Sequence, residues 1–142
     1  MISHDELDEV TRTLRSHAEL QFVCAHPPSV MLMPFQRSTT EVYLAVAVAI
    51  PVERVSLLTL QTATTAVLRV VLGMKIAQEI RAVDVLFFAA QGDITDRVLR
   101  VSVYAPAFGS TDLKEPTDLL LRSPTEGVTC SWYWEADKTP VR

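Results

Sequence analysis

The sequence predicts one α+β domain over residues 1–142, with an antiparallel or mixed sheet of about five to six strands carrying an N-terminal helix and one long central helix. Three observations predict it. A capped amphipathic stripe opens the chain, an apolar run from Val42 to Ile50 passes into a helical period, and strand-like alternation flanks Gly92.

At the N-terminus, Ser3 and Glu6 stand at capping-box spacing, and Leu7, Val10, Leu14 and Ala18 follow on one stripe. The acidic residues Asp5, Glu6, Asp8 and Glu9 complement the dipole of that helix, so their clustering needs no partner to explain it. Two strands are expected next, Leu20–Ala25 and Ser29–Phe35, divided by His26, Pro27 and Pro28.

The run from Val42 to Ile50 is too short to cross a membrane, which takes about 20 apolar residues. It fits a strand buried on both faces. Pro51 then suits the first turn of a helix, and Val52, Val55 or Ser56, Leu60, Ala63, Val67, Val70 and Met74 recur at helical spacing. Thr59, Thr62, Thr64 and Thr65 are β-branched and leave a hairpin over 52–72 as the alternative. Gly73 marks the end of the helix, with a short helical piece from Lys75 to Arg81.

The stretches 82–90 and 97–105 read as a hairpin around Gly92 and Asp93. In its second strand Leu99, Val101 and Val103 face the core while Arg100, Ser102 and Tyr104 face outward. Residues 106–127 form a long connection, 128–136 a final strand, and 136–142 a flexible tail.

Composition narrows the function. With 49% hydrophobic and 21% charged residues, the chain lies outside the range of intrinsic disorder and can build a core. The net charge is −4 and the arginines are scattered singly, so nucleic acid is not the expected partner. Cys24 and Cys130 lie far apart without a CxxC pair, which points to reduced thiols in an intracellular, cytoplasmic protein.

No chemical signature stands out. The glycines at 73, 92, 109 and 127 are too dispersed to cradle a phosphate. His17, Cys24 and His26 come nearest to a metal set, yet zinc wants three or four ligands in one shell. A Cys/His nucleophilic pair would need Cys24 or Cys130 beside His4, His17 or His26. No catalytic residue, metal or cofactor is therefore expected.

The most distinctive motif is Ser131–Glu135, in which Trp132 and Trp134 share one strand face and Tyr133 takes the other. Large aromatics with polar tips serve interfaces as readily as cores. The expectation is a non-catalytic protein-interaction module, meaning a complex subunit, adaptor or dedicated chaperone, with Trp132, Tyr133, Trp134, Tyr104 and Arg100 as its partner-binding residues. A protein partner is expected, a homodimer being one form of it, and no membrane span. The alternative is a small-molecule-binding or enzymatic domain with a pocket between sheet and long helix, lined by Phe87, Phe88, Trp132 and Tyr104 with Asp84 or Glu79 as its acid.

Overall fold

The structure is a computed structural model that describes residues 2–110 and 127–134. Among these residues three helices, α1 (His4–Ser16), α2 (Ala18–Val23) and α3 (Leu57–Leu72), accompany five strands, β1 (Ser29–Pro34), β2 (Val42–Pro51), β3 (Ala82–Gln91), β4 (Ile94–Tyr104) and β5 (Val128–Trp132). The strands lie in chain order across one sheet. Among the described strands β2 and β3 run parallel, because α3 carries the chain back between them, and the β1–β2, β3–β4 and β4–β5 pairs are antiparallel.

The first helix forms as its sequence requires. Ser3 Oγ accepts from the Glu6 backbone N–H at 3.2 Å, and Val10 and Leu14 are fully buried. At His17 the backbone turns extended and α2 begins. Here Leu20–Ala25 corrects the strand expectation, so two strands rather than three precede α3. Leu20 and Val23 are three residues apart and both buried, which is the spacing of a helix face, while Phe22 between them is 75% exposed.

The long helix also starts later than Pro51 suggests. Pro51 closes β2, Val52–Arg54 make one 3₁₀ turn, and Ser56 caps α3. The cap is reciprocal: Thr59 N–H donates to Ser56 Oγ at 3.2 Å and Ser56 N–H to Thr59 Oγ1 at 3.0 Å. The β-branched residues that left a hairpin open are accommodated here, since the buried Thr64 hydroxyl donates back to the Leu60 carbonyl at 2.8 Å. At Gly73 the helix ends in ordinary right-handed backbone, and a Cβ there would stand 3.1 Å from the Arg69 carbonyl. The helical piece after it is shorter than expected, a 3₁₀ turn over Lys75–Gln78.

The three described helices pack on one face of the sheet, which we term the first. Leu44, Val46, Val48 and Ile50 of β2 and Val83, Val85 and Phe87 of β3 meet α3 there, and none is more than 1% exposed. The β3–β4 hairpin turns at Gly92, φ +62°, as expected. A bulge sets Phe87 opposite Leu99 but Phe88 opposite Arg97, with Val98 as the extra residue. Leu99, Val101 and Val103 are fully buried as the alternation implied, whereas of the residues expected outward Arg100 and Tyr104 are half-buried and Ser102 is buried. The expected connection and tail fall mostly on 111–126 and 135–142, outside the described residues. Among the described residues no helix is long and apolar enough to cross a membrane.

Candidate functional site

The second face of the sheet sets the site, because its residues alternate with the core. On β2 the large even-numbered residues go to the helices, and Tyr43, Ala45, Ala47 and Ala49 are left pointing the other way, all half-buried. The pairing aligns Met31 with Ala45, Met33 with Tyr43, Ala47 with Leu86 and Ala49 with Phe88. The three alanines therefore floor a trough walled by methionines on β1 and by Leu86 and Phe88 on β3. Met31 is 59% exposed, and a shallow cavity of about 230 Å³ sits over Ser29, Met31, Met33, Tyr43, Ala45, Ala47 and Leu86. No described helix packs on this side.

An ion pair with a buried carboxylate lies at the end of the trough. Asp84, on the central strand, has a side chain only 4% exposed, and its Oδ2 accepts from both Nε and Nη2 of Arg100 on β4, the former at 2.8 Å. Burial pulls the Arg100 guanidinium down, but the hydrogen bond and charge of Asp84 outweigh it and hold it above its ordinary value. Its outer side lies over the Tyr43 ring at 6.0 Å. Phe35, Gln36, Tyr43, Ala82 and Tyr104 complete a cavity of about 150 Å³ around the pair, and Phe35 and Tyr104 meet edge to face at 6.3 Å. Gln36 is held there by a tight turn in which it and Arg37 both have positive φ, 49° and 62°.

The sequence-expected residues divide between the two faces. Arg100 and Tyr104 stand beside Asp84 on the second face, and Tyr133 joins them there, 45% exposed, with Arg97 stacked 5.8 Å from its ring. Trp132 and Trp134 lie half-buried against the core, and the Trp134 indole N–H donates to Asp96 Oδ2 at 3.1 Å. Phe87 is on the first face and Phe88 on the second, and Asp84 and Tyr104 lie across the sheet from α3. Met31, Met33, Leu86 and the alanines were not singled out from sequence. Their signal is an alternation of size rather than polarity, Leu44, Val46, Val48 and Ile50 large against Ala45, Ala47 and Ala49 small.

The remaining chemistry stays dispersed. Among the described residues no three of His, Cys, Asp and Glu gather to hold a metal. Cys24 and His26, expected on one strand face, follow α2 as irregular backbone and line an open cavity of about 290 Å³ with Arg15, Gln21 and Pro28. Both cysteines are free, and burial pushes each thiol up to about 11. They are protonated at neutral pH and poor nucleophiles. No protein-family model, curated protein or solved structure matches this chain.

Proposed function

We propose that the chain is a non-catalytic protein-interaction module, a subunit, adaptor or dedicated chaperone, that works through the second face of its sheet. One observation carries this reading: β2 is apolar on both sides and Leu86 and Phe88 continue its second side onto the parallel strand β3, yet the described helices pack on the first side. Parallel pairs are ordinarily sandwiched between two layers, since each uncovered apolar row leaves surface in water. The trough of Met31, Met33, Ala45, Ala47, Leu86 and Phe88 is that missing second contact. Tyr43, Tyr104, Tyr133, Arg97 and Arg100 rim it, and tyrosine and arginine are the residue types that anchor interfaces.

Affinity purification of the tagged chain from its native cell, with light scattering on the eluate, tests the reading. A stoichiometric partner that is recovered by the parent chain and lost by a folded Leu86→Arg variant supports it. A partner-free monomer, or a partner retained by Leu86→Arg, counts against it.

A further inference from the structure

Resting on that reading, we infer that the second face receives an amphipathic helix of a partner protein, apolar toward β2 and acidic toward β4. Width is the first argument. The backbones carrying Met31 and Met33 on one side and Leu86 and Phe88 on the other are two strand spacings apart, roughly 9.6 Å, so the low alanine row between them leaves a groove that one ridge of helix side chains can enter. From Ala45 to Ala49 the floor runs about 13 Å at ~3.3 Å per residue. That length holds more than two helical turns. Alanines along the floor let such a helix approach closely, while the taller walls flank it.

Backbone chemistry selects helix over extended chain. The amides and carbonyls of β2 and β3 are consumed by ladders on both sides, so the face offers no backbone partner. An extended segment laid on it would leave its own N–H and C=O groups unpaired, whereas a helix pairs them internally.

Charge sets the orientation. The protein carries −4 overall, yet the β4 side of this face presents Arg97 and Arg100. Asp84 already neutralises Arg100. Arg97 is exposed and stacked on Tyr133, and no described acidic side chain pairs with it. A carboxylate on the flank of the incoming helix meets that guanidinium, and a lysine there meets repulsion.

The experiment titrates the purified full chain by calorimetry with two synthetic helical peptides that share an Ala/Leu face and differ only in glutamate or lysine flanks. The glutamate peptide is expected to bind about tenfold tighter, with Arg97→Glu reversing the order and Leu86→Arg removing both. Equal binding of the two peptides, no binding, or binding that survives Leu86→Arg overturns the inference. So does a homodimer that Leu86→Arg dissociates, since a second copy then owns the face. If neither peptide binds but the cellular partner is still lost from Leu86→Arg, the helix inference falls while the interaction reading stands.

Discussion

Arg100 reaches diagonally past Leu86, its direct cross-strand neighbour, to Asp84 on β3, placing a buried carboxylate and a half-exposed guanidinium at the end of an apolar trough. A buried carboxylate is tolerated only with its partner. Arg100→Ala should cost about 3 kcal/mol in urea unfolding, because it strands the charge of Asp84. The double variant Asp84→Leu/Arg100→Leu should recover most of that loss. If the losses of Asp84→Leu and Arg100→Leu measured singly simply add in that double variant, the pair is not coupled as the geometry requires.

The split of the aromatic motif across the sheet predicts opposite outcomes for adjacent residues. Trp132→Ala, taken from the edge of the core, should destabilise the protein by about 2–4 kcal/mol. Tyr133→Ala, on the exposed side, should leave stability within about 0.5 kcal/mol and weaken partner binding instead. Denaturant midpoints and binding measured on the same preparations separate the two.

The turn between β1 and β2 places Gln36 and Arg37 in left-handed backbone and closes with Ser38 N–H donating to the Phe35 carbonyl at 2.8 Å. Asparagine and glycine suit these positions better. Replacing the pair by Asn-Gly should raise stability by about 1 kcal/mol, read as a melting temperature higher by a few degrees. An unchanged or lowered melting temperature would show that the native side chains contribute contacts outweighing the strain.

Both thiols have folded-state values pushed up to about 11 by burial. The folded chain therefore holds its protons while the unfolded chain begins to release them above the ordinary thiol value. Stability from this source is complete below that value and falls as pH rises toward about 11. Cys24→Ala/Cys130→Ala should flatten this alkaline decline. Iodoacetamide at pH 8 should label the native thiols far more slowly than the urea-unfolded ones.

Where local signals were sufficient, they described the fold well. The Ser3 cap, the Gly92 hairpin and the inward alternation of Leu99, Val101 and Val103 are each decided by a few neighbouring residues. Leu20–Ala25 misled because six apolar-rich residues satisfy both periods, and burial of Leu20 and Val23 against α3 chose the helix. The start of α3 was missed for a related reason, since Pro51 suits either a strand end or a helix start and the Ser56–Thr59 cap decided between them.

The amino-acid sequence by itself determined that β2 is apolar on both faces, that it feeds a helix, and that no phosphate-loop or dense cysteine motif is present. Periodicity and composition are local properties, so they can be read without a fold. Only the tertiary structure decided that the helices share one face, that alanines rather than tryptophans floor the other, and that Asp84 lies beside Arg100. Those relations depend on strand order and register, which bring together residues 16 positions apart and more, and a register shift of one residue would send each of these side chains to the opposite face.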